Sequence, residues 1–361
     1  MNAAIIASSL SSGILFTLVR RTFAFSSVPP MYPRPLHPGS FFLPPMVEDL
    51  IPIITTIPAA SAFSSTATSR DILQKGLLIV RPPDMESLWE WYAYTKRQTD
   101  SDPSWGRIWP TALSLARFTL QSLNSNNSND NDYVVNIAAE LEEQEQALFH
   151  QAVQALQRTS HIIELGCGLG VVGLAFAASV ETESINIKRT ITFLDREQYA
   201  LHCVMASAAI NNLATAPIAS EKVASECSQH TITVRSAIDD WTSSDKNISY
   251  KDLQLDALDY DNKQTLILAS DILYEPSSMD LLTTKLRNLL HPQDGGYVLI
   301  TDPEKERTSG CRTSFVQSVK VMGGQVVTLL LPQHESNCIE SDVDTDENLA
   351  NTVLIVVHFN G

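Results

Sequence analysis

His161-Ile-Ile-Glu-Leu-Gly-Cys-Gly-Leu-Gly-Val-Val-Gly173 is the stretch on which the reading of this chain turns. Ile162, Ile163 and Leu165 form a short apolar run of the kind that fills a strand buried on both faces. Gly166, Gly168 and Gly170 follow at alternate positions, and an apolar helical run begins at Val171. Glycines so spaced let the main chain turn sharply and meet a ligand with no Cβ in the way. The helix behind them aims its free N–H groups and positive dipole end at that ligand. Strand, glycine loop and helix, in that order, make a nucleotide-type site.

Two cofactors fit the loop. From Gly168, the residues Gly168-Leu-Gly170-Val-Val-Gly173 form a literal dinucleotide (NAD) fingerprint, and Asp195 stands about twenty residues further on, where that reading wants an acid. From Glu164, the order Glu-Leu-Gly-Cys-Gly-Leu-Gly is similar to the first motif of the S-adenosylmethionine (SAM) methyltransferases. The loop alone does not separate the two.

Downstream, apolar strands and helices alternate. Ile191–Leu194, Thr231–Val234, Thr265–Ser270 and Tyr297–Thr301 read as buried strands, with helices at Gln198–Asn212, Met279–Leu290 and Thr313–Met322. This order predicts an α/β fold, a Rossmann-like, doubly wound seven-stranded sheet, mostly parallel and covered on both faces. No helix separates Val326–Leu331 from Thr352–Phe359, so the last strand is expected to be antiparallel. Ligands of open α/β sheets bind outside the C-terminal strand ends. Asp195, Asp240-Trp241, Asp271 and Asp302 all stand at such ends. A single Asp there would more simply cap a helix; four of them beside a glycine loop point to one site.

Upstream, Trp105-Gly-Arg-Ile-Trp109-Pro leads into an Ala/Leu-rich helix. A polar insert covers residues 121–158. Within it, Asn124–Asp132 reads as a loop, and Asn136–Gln157 as one amphipathic helix whose acidic face, Glu140, Glu142, Glu143 and Glu145, is solvated. Residues 1–69 read as a presequence or disordered extension ahead of a domain spanning 70–361. An apolar run, Ala3–Val19, precedes Arg20-Arg21 and Pro-rich sequence; Ala59-Ala-Ser-Ala-Phe63 then opens an acid-free Ser/Thr stretch. That pattern is similar to bipartite plastid presequences and also suits a mitochondrial one. Without such targeting, a cytoplasmic location is expected.

A formal charge of -16 over 361 residues repels phosphate backbones, which argues against nucleic acid as a partner. The apolar N-terminal run is marginal for a membrane span, so no stable membrane insertion of the domain is expected. Five cysteines without a Cys-x-x-Cys pair suggest reduced thiols and no metal site.

Taken together, residues of about 77–359 resemble the seven-β-strand methyltransferases of the family-16 protein-lysine type. The resemblance is carried by Trp105-Gly-Arg-Ile-Trp109-Pro, Glu164-Leu-Gly-Cys-Gly-Leu-Gly170, Leu194-Asp195, Asn211-Asn212, Asp240-Trp241 and Asp271-Ile-Leu-Tyr274. The Asp-x-x-Tyr after the fourth strand is the most specific of these and tips the loop towards SAM. The resemblance implies SAM as cofactor, with Gly166, Gly168 and Gly170 admitting its amino-acid moiety, Glu164 supporting the loop and Asp195 accepting the ribose hydroxyls. It places Trp241 at the adenine, Trp109 over the methionine end, and Asp271 and Tyr274 on the methyl-acceptor side as catalytic residues. It further implies action on a protein lysine, with a small-molecule amine, or a non-catalytic methyltransferase-like or NAD-binding protein, as the alternatives; a monomer is expected. Asp302-Pro-Glu-Lys-Glu-Arg307 looks more like the branch that methylates the electron-transfer flavoprotein β-subunit. For Asp271, capping of the helix near Ser277 is the competing role.

Overall fold

The protein is described here from a computed structural model, over residues 53–57, 76–96, 102–124, 131–180, 188–213, 215, 232–242, 248–253, 264–332 and 351–361. The expected N-terminal signals before Ile53, the Ala59–Phe63 junction and Ser/Thr stretch within 58–75, the centre of the polar loop at 125–130 and the acidic link at 333–350 lie outside the described residues.

Strands β3 (His161–Leu165), β4 (Arg189–Asp195), β5 (Ile232–Ile238), β6 (Thr265–Ser270), β7 (Gly296–Pro303), β8 (Gln325–Leu331) and β9 (Thr352–Phe359) form one sheet, in the order β5-β4-β3-β6-β7-β9-β8. β3, β4, β5, β6 and β7 run parallel to their neighbours within that set, whereas β9 is antiparallel to both β7 and β8. The antiparallel last strand is therefore present, and it lies inside the sheet rather than at its edge. Burial explains the difference in their sequences. β9 is buried along nearly its whole length, whereas β8 alternates buried and exposed residues as an edge strand does.

The chain winds one way from β3 through helix α5 (Val171–Val180) to β4, and the other way from β6 to β7. The strand order reverses between β3 and β6. In such sheets the ligand crevice opens at that reversal, which is where the glycine loop and Asp271 emerge.

Two expectations need correction. The first concerns residue 70 as the start of the domain. β1 (Ile53–Ile57), inside the stretch set apart as extension, pairs antiparallel with β2 (Leu77–Arg81), and Ile57 is buried in the core. β2 is in turn fastened to helix α6 (Gln198–Ile210) and its cap, with Val80 N–H donating to Ser207 Oγ and Leu78 N–H to Asn211 Oδ1. The described fold thus begins at Ile53.

The second is the single helix over Asn136–Gln157. Two helices stand there, α3 (Asn131–Ala138) and α4 (Glu143–Arg158). Glu142 has extended backbone and its N–H donates to the Glu145 carboxylate at 3.2 Å, starting a new helix. Glu143 and Glu145 sit in the first turn of α4, where the helix dipole favours negative charge. What read as an acidic face is in part a helix start. The opposite side of α4 buries Leu148, Phe149, Ala152 and Leu156, and Phe149 packs on Phe118 of helix α2 (Pro110–Asn124), with centroids 5.9 Å apart.

The remaining helices are α1 (Met85–Glu90), which continues as a wider π turn through Lys96, α7 (Met279–Leu289) and α8 (Cys311–Val321). Among the described residues no helix is long and apolar enough to cross a membrane.

Candidate active site

Gly166, Gly168 and Gly170 have φ of +60°, +49° and +68°, the left-handed region that side chains disfavour. They serve different purposes. A Cβ on Gly170 would lie 2.8 Å from Val204 and 2.9 Å from Phe193, so this glycine lets α5 close on α6 and β4. A Cβ on Gly168 would meet the Trp105 carbonyl at 3.2 Å, and one on Gly166 would meet Ile272 at 3.0 Å and the Trp241 ring at 3.5 Å. These two keep the floor of a cleft clear.

Carboxylates brace the loop from behind and beside. Glu164 is buried under it, and its Oε2 accepts the Gly173 N–H at 2.6 Å, tying β3 to the first turn of α5. Burial pushes this carboxyl up to about 8, against the pull of the Gly173 and Val172 N–H groups. Asp195, at the end of β4, accepts the Gly168 N–H on Oδ2 at 2.8 Å and the Glu197 N–H on Oδ1 at 2.9 Å. Burial raises it to about 6, and those two N–H groups oppose the rise. Each oxygen keeps acceptor capacity for a further donor.

Trp241 is held by an ion pair that the sequence reading missed. The side chains of Lys285, on α7, and Asp239 have no exposed surface and are hydrogen-bonded to one another. Lys285 also donates to the Ile248 carbonyl, and the Asp239 N–H donates to the Asp195 carbonyl at 2.9 Å. Asp239 thereby anchors the turn that carries Asp240 and Trp241 beside β4. A signal was available: Lys285 falls on the apolar stripe of Leu282, Leu286 and Leu289.

On the other side of the cleft stand Trp109, Asp271 and Tyr274. Trp109 donates its indole N–H to the Ser104 carbonyl at 3.2 Å. Asp271 follows β6 with φ +56°, an uncommon conformation for a residue with a side chain, and its N–H donates to the Thr301 carbonyl at 2.8 Å. Its carboxylate does not cap the 3-10 turn at Pro276–Ser278, which has no side-chain cap. Instead both oxygens take Arg307, Nε at 2.7 Å and Nη2 at 2.6 Å. Tyr274 is 40% exposed at the cleft mouth. Burial of the rest of the side chain raises its phenol, with Arg196 opposing.

The cleft, counting its open mouth, holds about 1060 Å³ of empty space. Trp109, Gly166, Gly168, Asp195, Trp241, Asp271 and Tyr274 line it together; Glu164 and Gly170 support it from behind. Asp302, counted with the other strand-end acids, does not line it: it is buried and paired with Arg312 at 2.6 Å. Arg196 and Glu197 do line it and were not foreseen. Glu197 is fixed by the Tyr92 hydroxyl at 2.8 Å, which itself accepts the Trp105 indole N–H at 3.0 Å, so the aromatic helix before the site braces its floor.

Compared with known families, residues 95–321 match the lysine methyltransferase family. The chain belongs to that family. It is a SAM-dependent methyltransferase, and the dinucleotide reading of the loop falls away. No curated protein matched the sequence. Among solved structures, the chain shares 10% identity and a TM-score of 0.34 with a SAM-dependent methyltransferase of Methanosarcina mazei, covering 59% of this chain and 97% of that one. It shares 12% identity and a TM-score of 0.32 with a precorrin-6y C5,15-methyltransferase of Geobacter metallireducens, covering 62% and 90%. With Aeropyrum pernix fibrillarin bound to SAM the figures are 11% and 0.32, covering 55% and 66%.

The residues present fit SAM. A floor with no Cβ at Gly166 and Gly168 admits a ligand against the main chain, while the first-turn N–H groups of Val172 and Gly173 in α5 are taken by Glu164 behind the loop. Asp195 offers acceptor oxygens for hydroxyls, and Trp241 offers an apolar ring beside Gly166.

Proposed function

We propose that this lysine methyltransferase family member methylates the side-chain amine of a lysine in a protein substrate. The supporting observation is the position of Tyr274 and Trp109: they wall the open mouth of the cleft that Gly168 and Asp195 floor. A long, thin side chain can enter such a mouth while the body of its protein stays outside. A small-molecule amine would meet the same walls and is the alternative.

SAM supplies a methyl group on a sulfonium, and positive charge moves from sulfur to nitrogen as it is transferred. The protein's task is mainly alignment and exclusion of water. Trp109 and Tyr274 wall the amine from water, and that loss of solvent favours the neutral, nucleophilic form, although the indole face by itself attracts the cation. Asp271 stands at this end to orient the amine or meet the charge that develops on it. Tyr274 accepts or relays a hydrogen bond.

Radiolabelled SAM incubated with enzyme and a cell lysate tests the reading. Acid-precipitable label that hydrolyses to methyl-lysine is expected; label confined to the acid-soluble fraction would transfer the proposal to a metabolite. We also propose a plastid or mitochondrial destination, supported by the apolar run Ala3–Val19 closed by Arg20-Arg21, which lies ahead of β1. Residues 1–70 fused to a fluorescent protein should localise to an organelle, and a diffuse cytosolic signal would refute this.

A further inference from the structure

One dipeptide in the loop between β7 and α8 touches all three residues of the acceptor end. Arg307 grips both oxygens of Asp271, at 2.7 and 2.6 Å, and its guanidinium carbon lies 4.2 Å from the Trp109 ring centroid. Thr308 donates its hydroxyl to the Tyr274 carbonyl at 2.8 Å. The Asp271 side chain is 4% exposed and that of Arg307 30%. Trp109, Asp271 and Tyr274 line the cleft, whereas Arg307 does not. Arg307 therefore reaches the acceptor end through the residues that form its wall.

A lysine amine attacks only when neutral. A buried carboxylate beside it favours the ammonium form instead, and so does an indole face, which attracts cations. Both features are present here, and an arginine answers both. The Arg307 fork offsets the charge of Asp271, and the Trp109 ring already carries two guanidinium groups, Arg107 at 4.7 Å and Arg307 at 4.2 Å.

Other charges near this end are engaged elsewhere. On the β7 side Asp302 is paired with Arg312 at 2.6 Å, and Glu306 accepts the Gly310 N–H. Beyond Tyr274, Arg196 and Asp102 lie 3.6 Å apart. Glu275, which lines the cleft beside Tyr274, accepts the Ser277 hydroxyl, and Arg107 lies over the Trp109 ring; the Asp271–Arg307 pair is the charge pair that bears directly on the acceptor wall.

We infer that Arg307 is a positioning residue that acts through Asp271 and Trp109 to keep the acceptor end without net negative charge, so that the acceptor amine is held neutral. This rests on reading Trp109, Asp271 and Tyr274 as the acceptor end. It adds a specificity for protonation state, carried by a residue that lies behind the cleft wall.

The test compares wild type with Arg307→Gln, which keeps an N–H donor but loses the charge, and with Arg307→Lys, which keeps the charge. Binding of n-butylammonium, followed by calorimetry, needs no turnover. Methyl incorporation from radiolabelled SAM into lysate protein is followed from about pH 6 to about pH 10, spanning the range in which a bound lysine titrates. Melting temperature and SAM affinity serve as controls for folding. Arg307→Gln should bind butylammonium about tenfold more tightly than wild type and move the acid limb of the rate profile up by about one pH unit, the same factor expressed as a pKa. Arg307→Lys should stay near wild type on both measures. Adding Asp271→Asn to Arg307→Gln removes both charges; turnover should fall because Asp271 orients the amine, but the acid limb of what remains should return to its wild-type position and the extra butylammonium affinity of Arg307→Gln should be lost, and this double variant also serves if the single one does not fold. Unchanged butylammonium affinity and an unmoved limb in Arg307→Gln would overturn the inference, as would a displaced limb in the double variant. Label found only in the acid-soluble fraction would defeat the protein-lysine reading alone, and the same comparison would then be made on that fraction.

Discussion

The two halves of the cleft are held together by different kinds of contact. In the cofactor half the glycine loop is held by main-chain N–H donors, Gly168 and Glu197 to Asp195 and Gly173 to Glu164, with the side-chain pair Lys285–Asp239 confined to the turn under Trp241. At the acceptor end the governing contacts join side chains from separate loops, Arg307 to Asp271 across 36 positions and Arg307 over Trp109. A site made of backbone donors tolerates little change, because altering it means altering the fold. A site made of side chains on loops can be retuned one residue at a time. If the proposed assignment of the two halves holds, cofactor and acceptor specificity should be separable, and substitutions on either side test it.

The largest effect is expected at Gly168→Val. A left-handed φ is costly for any side chain, about 1–3 kcal/mol, and a branched one is worse placed still. Its Cβ would also press on the Trp105 carbonyl. SAM binding, measured by calorimetry, should be lost. Binding equal to wild type would show that the loop does not meet the cofactor, and would remove the basis for separating the halves.

Asp271→Ala probes the other half. If the separation holds, SAM affinity stays within about tenfold while turnover falls by about 10²-fold or more, the scale for losing one preorganised electrostatic group. The variant also leaves the Arg307 guanidinium without this carboxylate, so the melting temperature should be read alongside. Lost stability with intact turnover per folded molecule would make Asp271 a structural residue.

A smaller effect is expected at Asp195→Asn. The amide can still accept through one oxygen but loses the charge that strengthens those bonds, about 1–3 kcal/mol in SAM affinity. Because burial holds Asp195 at about 6, wild-type affinity should also weaken as pH falls through that value, and the Asn variant should lack this dependence. Equal affinities for wild type and variant would take Asp195 out of the cofactor site.

The same contrast governs what could be read from sequence. The glycine loop, Glu164 and Asp195 announce themselves because a short apolar strand, three glycines and a helix are local features with local physics. Alternating strands and helices likewise predicted the sheet and its antiparallel last strand. Long-range contacts were less legible. Arg307 looks like any surface arginine until β6 and β7 are set side by side. Ile53–Ile57 was passed over because a single short apolar run, amid prolines, carries no sign of the strand it will pair with. The break between α3 and α4 was hidden by a cluster of glutamates that suits both a solvated face and a helix start. The site was thus visible by its floor, while much of what holds its walls was not.

The last expected effect is on stability rather than on binding or turnover, and concerns what the cofactor half does with a buried acid. Glu164 is raised by burial from 4.5 to about 8, so the folded protein keeps it protonated where the unfolded chain would ionise it. The sign follows from linkage. Below about 4.5 both states are protonated and the contribution to stability is complete. Between about 4.5 and about 8 the unfolded chain gains a charge that the fold refuses, so stability declines as pH rises; above about 8 both states are ionised and the decline stops. Glu164→Gln cannot ionise, yet its carbonyl oxygen can still accept the Gly173 N–H that ties β3 to α5. The variant's melting temperature relative to wild type should therefore rise with pH across that window, at roughly 2–4 °C per kcal/mol for a domain of this size. Asp195 titrates in both proteins and largely cancels from the difference. A gap that stays flat from pH 4 to pH 9 would mean that Glu164 is ionised in the folded protein, its charge carried by the N-terminus of α5. The glycine loop itself would then rest on a buried charge, as the acceptor end does, and the contrast between them would lie in the donors alone.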